Sequence, residues 1–270
     1  MNHIQITINN TIGDISDMLI AQLSEINYNG FQENDDYLVA YINEEEFNKA
    51  ALDELLQPHH LPYTQVTIPQ QNWNEVWESN FEPVIVNDFV AVRAGFHQPI
   101  NTTTHEIIIT PKMSFGTGHH ATTHMMMELM RDIDFTNKKV FDFGSGTGIL
   151  AILAEKLGAA SILAVDYDDW CIENAAENVD GNQCKNINVV KGDTADVNQS
   201  FDVILANINK NILLDNMQHL AANTANTGTL LLSGLLIEDE NDIVASAVQY
   251  NLKLIKKQQR GNWIALQFGF

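Results

Sequence analysis

Cysteine is almost missing from this sequence of 270 residues, which contains only Cys171 and Cys184 and no Cys-x-x-Cys pair. Two cysteines cannot supply the disulfide framework of a small secreted domain, and they lack the spacing of a structural zinc site. We therefore expect a protein of the reducing cytoplasm.

Long apolar runs are missing as well. No stretch approaches the roughly 18 consecutive apolar residues of a membrane helix. The first residues have neither the basic region nor the apolar region of a signal peptide. We expect no membrane partner.

Basic residues are scarce, with 14 Lys and Arg against 35 Asp and Glu, which gives a net charge of −21. Such an acidic surface repels nucleic-acid phosphates and attracts basic partners. We expect no direct nucleic-acid partner unless a local basic patch provides one. Apolar residues make up 45% of the sequence, enough for a sizeable core.

The first 69 residues alternate between strand and helix patterns. Period-two or apolar segments predict strands, and apolar residues three or four apart predict helices. The strands are expected at 3–8, near Phe31, at 37–42 and at 64–68, and the helices at 14–26 and 44–56. This order predicts a small ferredoxin-like α+β domain over residues 1–69, in which we find no ligand motif.

A short connector follows the first domain. Residues 70–80 predict a helical linker with two tryptophans one turn apart, Trp73 and Trp77. Strand patterns at 81–92 and 105–109 then predict a hairpin that precedes the main domain.

Regular alternation of strands and helices dominates the rest of the chain, so we assign residues 81–270 to one α/β domain. Strands are expected at 140–143, 161–165, 187–190, 201–206, 229–233, 252–258 and 262–268. The helices between them predict a doubly wound, mainly parallel sheet with ligands at the carboxyl ends of its strands. A short turn at Gly261 separates the last two strands, which should pair antiparallel.

A glycine turn follows the first of these strands. Gly144, Gly146 and Gly148 permit a sharp backbone turn against a ligand, and the next helix points its N-terminal amides at that ligand. Asp142 ends the strand beside the turn. The spacing is Gly-x-Gly-x-Gly, whereas a dinucleotide fold has Gly-x-Gly-x-x-Gly.

Two further carboxylates end the next two strands. Asp166 is positioned to accept hydrogen bonds from both hydroxyls of a ribose, and Asp193 to meet an adenine amino group. The alternative for each is a solvated acid in a loop. Together with the glycine turn, they predict a nucleoside site.

A second glycine-containing loop, residues 113–124, runs into a helix. His120 and His124 stand one helical turn apart, but a third ligand at a recognisable spacing and an His-Glu-x-x-His motif are both missing. We therefore expect no metal and interpret the histidines as polar residues at the start of the helix, near a ligand. The methionines at 125–127 are expected to pack in the core.

The combination of Asp142, the glycine turn, Asp166 and Asp193 resembles class I S-adenosylmethionine-dependent methyltransferases. The segment Phe-Gly-Thr-Gly-His-His-Ala-Thr-Thr at 115–123 and Leu-Ala-Asn-Ile at 205–208 more closely resemble the ribosomal protein L11 methyltransferase family. The small N-terminal domain and the tryptophan-containing linker are similar too, so the resemblance covers nearly the whole chain.

The resemblance implies a seven-stranded Rossmann-like sheet with an antiparallel last strand and S-adenosyl-L-methionine as the cofactor. It also implies that the N-terminal domain recognises the substrate, a basic protein of the large ribosomal subunit. The C-terminal domain would then methylate lysine side chains and the N-terminal amine of that protein.

The resemblance also assigns residues to the cofactor site. The positions that match cofactor contacts of the family are Thr123, Gly144, Asp166 and Asn207, and Thr117 and Gly118 match the loop over the cofactor. With Asp142, Gly146 and Asp193 these residues complete the predicted site. Asn207 is also the predicted catalytic residue, because an amide oxygen or a backbone carbonyl at this strand end can orient the acceptor amine.

The sequence departs from the family pattern at four positions, and several other functions stay open. Histidine and alanine replace threonine and proline at 119 and 121, and serine and threonine replace cysteine and serine at 145 and 147. A methyltransferase of another protein, a small molecule or a nucleic acid would share the cofactor site. The missing Asn-Pro-Pro-Tyr run at 207–210 argues against amide- and adenine-methylating relatives.

A nicotinamide-dependent oxidoreductase is a more distant alternative, which the glycine spacing disfavours. A module that binds the cofactor without catalysis is another, because no dedicated general base is visible. The sequence does not specify the oligomeric state.

Overall fold

The computed structural model describes residues 2–9, 11, 14–34, 36–68, 81–111 and 117–270. The chain divides into two compact units, Met1–Asn80 and Phe81–Phe270. The predicted helical linker at 70–80, with Trp73 and Trp77, lies outside the described residues. Within the described ranges, no helix combines the length and the apolar character that crossing a membrane requires.

The first unit has the predicted ferredoxin-like fold. Its elements are β1 (His3–Asn9), α1 (Asp14–Glu25), β2 (Gly30–Glu33), β3 (Tyr37–Asn43), α2 (Lys49–Leu56) and β4 (Tyr63–Ile68). The strands form an antiparallel sheet in the order β2-β3-β1-β4. Ile4, Ile6 and Ile8 of β1 pack against Leu19 of α1 and Leu52 of α2 in one apolar core.

The second helix of this unit begins later than predicted. A 3₁₀ turn at Glu44–Glu46 replaces the first part of the expected helix 44–56, and α2 starts at Lys49. Asn48 causes this restart, because its side-chain oxygen accepts hydrogen bonds from the backbone N–H groups of Ala50 and Ala51 at 3.0 and 3.2 Å.

A three-stranded sheet opens the second unit, and here the predicted hairpin between 81–92 and 105–109 is wrong. The strands are β5 (Val84–Val86), β6 (Val90–Ala94) and β7 (His105–Ile109). The first predicted segment is itself a hairpin, because a turn at Asn87, with φ of 51°, separates β5 from β6. The long connection after β6 then brings β7 back parallel to it.

The main sheet has seven strands. They are β8 (Lys139–Phe143), β9 (Ser161–Asp166), β10 (Ile187–Lys191), β11 (Phe201–Asn207), β12 (Thr224–Leu236), β13 (Lys253–Arg260) and β14 (Trp263–Gly269). Their order is β10-β9-β8-β11-β12-β14-β13, and β14 is antiparallel to both neighbours. The predicted mainly parallel sheet with an antiparallel last strand is confirmed.

Helices cover both faces of this sheet. They are α3 (Ala121–Met130), α4 (Ile149–Lys156), α5 (Asp169–Gly181), α6 (Lys210–Asn223) and α7 (Glu240–Gln249). Alternate side chains of β8 enter opposite cores: Val140 packs with α3 and α4, and Phe141 packs with α6 and α7. The methionines at 125–127 are buried, as predicted for core residues.

The strand order reverses between β8 and β11, and such a reversal opens a crevice at the carboxyl ends of the strands. Phe143 of β8 pairs with Ala206 of β11 on one side and with Val165 of β9 on the other. The segments that follow these three strands therefore meet at one place.

Candidate functional site

The glycine turn lies at this crevice and depends on left-handed backbone. Gly144, Gly146 and Gly148 have φ values of 75°, 53° and 77°. A Cβ at Gly144 would lie 2.2 Å from Cγ2 of Ile208, so this glycine is also required by packing. Gly148 begins α4 at the end of the turn. The turn is thus held by its own conformation and by the segment after β11.

Asp166 connects β9 to the glycine turn. Its Oδ2 accepts a hydrogen bond from the backbone N–H of Gly146 at 2.8 Å, and its Oδ1 accepts one from Asp168 at 3.1 Å. The residue is buried. Each carboxylate oxygen retains a second lone pair. The carboxylate is therefore fixed in place with acceptor capacity for two hydroxyl groups.

Asp142 is the most deeply buried acid of the site. Its Oδ2 accepts a hydrogen bond from the backbone N–H of Ala151 at 3.2 Å. Its Oδ1 has no hydrogen-bond partner in the part of the chain that the structure describes. Burial, and secondarily the nearby charge of Asp166, raises the pKa of Asp142 to about 7.

Asn207 ends β11 next to the turn, and Thr123 holds its side chain. The amide Nδ2 donates to Oγ1 of Thr123 at 3.1 Å, whereas Oδ1 is buried without a partner among the described residues. Thr123 lies in the first turn of α3 and is itself buried. The contact leaves the amide oxygen of Asn207 as a fixed, unused acceptor.

His120 fixes the start of α3. Its Nδ1 lies 2.7 Å from Oγ1 of Thr122 and accepts from the backbone N–H of the same residue, and its ring packs edge-on against Trp263. The sequence predicts a polar residue at the start of this helix, and the structure shows that His120 is its N-cap. Within the described ranges no cluster of three or more His, Cys, Asp or Glu residues has metal-binding geometry.

The loop before α3 contacts the start of α4. A Cβ at Gly118, which has φ of 90°, would lie 3.6 Å from Cδ1 of Ile149. Thr117 Oγ1 lies 3.2 Å from Nδ1 of His119, whose Nε2 lies 2.9 Å from the carbonyl oxygen of Glu82. The structure thus brings the loop beside the glycine turn, and residues 112–116 of the loop lie outside its description.

Asp193 lies farther out than the other predicted residues. It is exposed and follows β10, and the backbone N–H of neighbouring Gly192 donates to the carbonyl oxygen of Asp166 at 2.9 Å. This backbone contact keeps the segment beside Asp166, and the carboxylate of Asp193 itself faces solvent.

Three asparagines support the site and were missed in the sequence: Asn174 and Asn178 of α5, and Asn182, which is the C-cap of this helix. Asn178 accepts from the N–H of Thr110 at 2.7 Å and donates to the carbonyl oxygen of Thr147, in the glycine turn, at 2.9 Å. Asn174 and Asn182 bond the backbone beside them, at Thr110 and Ile108. Their spacing of four residues on one helix face was the pattern that indicates this role.

Buried oxygens without partners surround the turn and indicate a ligand with several polar groups. Asp142 Oδ1, Ser145 Oγ and Asn207 Oδ1 are all unpartnered among the described residues. A buried acceptor without a partner is costly, so such atoms mark places where a ligand or water completes the hydrogen bonding. Together with the fixed carboxylate of Asp166, they fit a nucleoside that carries a charged amino-acid chain.

Comparison with known proteins decides the family. The profile of ribosomal protein L11 methyltransferase (PrmA) matches residues 9–269. The chain belongs to the ribosomal protein L11 methyltransferase family. S-adenosylmethionine is the cofactor of this family, which confirms the resemblance, the enzyme class and the cofactor inferred from the sequence. Membership sets aside the nicotinamide-dependent alternative.

Individual relatives agree over nearly the full length. The ribosomal protein L11 methyltransferase of Porphyromonas gingivalis is 43% identical over 266 residues, which cover 96% of this chain and 92% of the relative. That of Phocaeicola vulgatus is 37% identical over 262 residues, with 94% and 93% covered.

Solved structures support the same family. The ribosomal protein L11 methylase of Lactobacillus delbrueckii subsp. bulgaricus is 31% identical with a TM-score of 0.65, and the match covers 70% of this chain and 98% of that one. A methyltransferase of Pyrococcus furiosus, 18% identical with a TM-score of 0.51 over 61% of this chain and 90% of that one, shows the fold alone.

Proposed function

We propose that this methyltransferase acts on lysine side chains and the N-terminal amine of ribosomal protein L11. The observation that carries the amine specificity is the unused amide oxygen of Asn207, fixed by Thr123 at the carboxyl end of β11. A neutral amine has an N–H to donate to this oxygen, and its lone pair then remains free for attack.

We further propose how the remaining site residues divide the work. Asp166 binds the ribose hydroxyls, the glycine turn around Gly144 and Gly146 lies along the cofactor, and Asp142 completes its polar contacts. Thr117, Gly118 and Thr123 cover it, and Asp193 meets the adenine at the rim. The bound S-adenosylmethionine supplies an activated methyl group on a sulfonium.

The protein's remaining task is alignment and proton handling. A lysine amine has a pKa of about 10.4, so it must lose its proton before transfer. We assign no dedicated base: Asn207 orients the neutral amine, and water accepts the proton. Burial of the site excludes competing nucleophiles and keeps the reacting groups in line.

The domain roles belong to the same proposal. Residues 1–69 recognise the basic substrate protein, 70–80 link the domains, and 81–270 carry out transfer. The net charge of −21 supports a lysine-rich protein as the partner rather than nucleic acid or an anionic membrane. Cys171 and Cys184 are not joined in a disulfide, which is consistent with our placement of this reaction in the cytoplasm.

The test is transfer from labelled S-adenosylmethionine to purified L11, with the modified amines located by mass spectrometry. Asp166→Ala should lower cofactor affinity at least about 100-fold, because it removes two charge-assisted hydrogen bonds. Asp169→Ala, an exposed acid paired with Lys191, is the matched control and should leave affinity unchanged. Unchanged affinity in Asp166→Ala would remove this residue from the site.

Asn207→Ala tests the amine-orienting role. We expect kcat to fall by about 100-fold, the size of losing one aligned polar contact in a buried site, and cofactor affinity to fall much less. Label on L11 at the wild-type rate would refute the assignment of Asn207.

A further inference from the structure

The sheet of the first unit has one face that its two helices do not cover. Side chains alternate across a strand, so Ile4, Ile6 and Ile8 enter the core beneath the helices, whereas Gln5 and Thr7 of the same strand point the other way. Their neighbours on this second face follow from the strand register. We call the set the open face: Gln5, Thr7, Tyr37, Val39, Tyr41, Val66 and Ile68.

The open face presents apolar surface to solvent. Tyr37, Val66 and Ile68 are exposed by 38%, 54% and 36%, whereas Val39, between them on β3, is buried. A Cβ at Gly30 would lie 3.4 Å from the ring of Tyr41, so this ring lies against the glycine of the neighbouring strand. The result is a flat surface of aromatic and aliphatic groups with polar but uncharged side chains between them, a composition typical of contact surfaces.

Negative charge is concentrated in the same unit. Residues 1–68 contain 11 of the 35 acids but only one of the 14 bases, Lys49. Lys49 lies on α2, away from the open face, and pairs with Asp53 at 2.9 Å. The unit therefore offers a partner almost exclusively negative charge.

The acids are placed at both ends of the central strand β3. Glu33 and Asp36 stand at its start, and Glu44–Glu46 follow its end, all exposed. Glu44 and Glu46 accept hydrogen bonds from side-chain amides at 2.8 and 3.2 Å. Amides are neutral, so these hydrogen bonds leave the carboxylate charges uncompensated.

We propose that the open face is the surface on which the substrate protein docks. Aliphatic stems of its lysines lie on Tyr41 and Val66, and the ammonium groups reach the acids at the two ends of β3. A lysine side chain can bind in this manner where apolar surface adjoins negative charge, because its methylene stem packs on the apolar surface while its ammonium group stays in polar surroundings. The inference rests on the proposed function, because it takes a lysine-bearing protein as the partner.

Two variants with equal net charge test the electrostatic part. The docking variant is Glu44→Gln/Glu45→Gln/Glu46→Gln. The matched control removes the same number of acids from the helices, as Asp17→Asn/Glu25→Gln/Glu54→Gln. At low salt the docking variant should raise KM for L11 about tenfold with kcat unchanged and with a weaker salt dependence. The control should change KM by less than about twofold.

A second pair tests the apolar part. Val66→Ser removes an exposed aliphatic group from the open face, and Ile15→Ser removes one that is 41% exposed on α1. We expect the first to raise KM for L11 by about threefold, since part of a valine side chain is buried on docking. The second should leave KM unchanged. A short lysine-containing peptide, which lacks the surface of L11 that would dock, should show the same KM with every variant.

The outcomes separate this inference from the proposed function. Equal KM values for L11 in the docking variant and its control, measured alongside normal methyl transfer, overturn the docking surface and leave the function standing. Calorimetric binding of L11 that weakens in the docking variant, without methyl transfer by the wild type, supports the docking surface and overturns the function.

Discussion

At the residue scale, the site is defined by side chains whose polar atoms are only partly used within the protein. Hydrogen bonds within the protein fix the side chains of Asp166 and Asn207, and each side chain can still accept further hydrogen bonds. Asp142 is more extreme, because one of its carboxylate oxygens is buried without a partner in the described chain. A binding site requires side chains that the protein holds in one orientation and that keep hydrogen-bonding capacity for a ligand.

Asp142 should make stability depend on pH. Its pKa is raised from 3.8 in the unfolded chain to about 7 in the fold, so the folded state holds the proton more tightly. Its contribution to stability is therefore fully present below pH 4 and is lost as the pH rises to about 7. Asp142→Asn mimics the protonated acid and should stabilise the cofactor-free protein more at pH 8 than at pH 5 in urea unfolding. An equal gain at both pH values would contradict the raised pKa.

Thr123 should act on catalysis through Asn207. Thr123→Val keeps the shape of the side chain but removes the acceptor for the amide of Asn207. Loss of one orienting hydrogen bond should lower kcat about tenfold, and Thr123→Ser should restore it. Calorimetry with S-adenosylmethionine supplies the second readout: a loss of affinity at unchanged kcat would assign Thr123 to cofactor binding alone.

At the element scale, the glycine turn is held by elements distant in sequence. The side chain of Ile208 covers Gly144. The backbone of Ile208 in turn needs a glycine at 234, which has φ of 85°, because a Cβ there would lie 2.2 Å from the carbonyl oxygen of Ile208. On the other side, Asn178 of α5 bonds the turn. Contacts from these distant segments thus select one conformation for a loop whose glycines could each adopt many.

Gly144→Ala should destabilise the second unit by about 1–3 kcal/mol, since it adds a Cβ at positive φ and against Ile208. Ile208→Ala in the same chain should recover part of the loss, because it removes the clash but not the backbone strain. Gly181→Ala is the control, because nothing lies within 4 Å of a Cβ there. Urea unfolding is measured for the wild type, the two single variants, the double variant and the control, and additive effects of Gly144→Ala and Ile208→Ala would argue against the contact.

At the scale of the whole molecule, the unit with the higher density of negative charge is not the unit that contains the predicted cofactor site. Residues 1–68 have a net charge of −10 and contain none of the predicted site residues, whereas Phe81–Phe270 contains the glycine turn and every residue predicted to bind the cofactor. This division agrees with separate recognition and transfer roles.

Cofactor binding should therefore stabilise the second unit selectively. S-adenosylmethionine at 100 times its Kd should add about 2.7 kcal/mol to that unit's stability and raise its melting temperature, and NADH should have no effect. Differential scanning calorimetry, with Asp166→Ala as the control, provides the measurement. A shift with NADH alone would be inconsistent with the cofactor site described above.

The sequence by itself determined the fold class and the core of the site. Periodic apolar segments require the alternation of strands and helices, and the glycine spacing with Asp142 and Asp166 requires a turn at the carboxyl edge of the sheet. These are local constraints, because periodicity and positive φ are properties of neighbouring residues. For the same reason the start of α2 at Asn48, a competing cap, was missed only by a few residues.

Tertiary structure decided what depends on contacts between distant residues. The parallel pairing of β7 with β6, the hydrogen bond from Asn178 to the glycine turn and the hydrogen bond from Asn207 to Thr123 each join segments that are far apart in the sequence. Strand pairing and long-range side-chain hydrogen bonds are selected by packing as the chain folds. The sequence therefore named Asn207, and only the fold showed which of its atoms is left free for an amine.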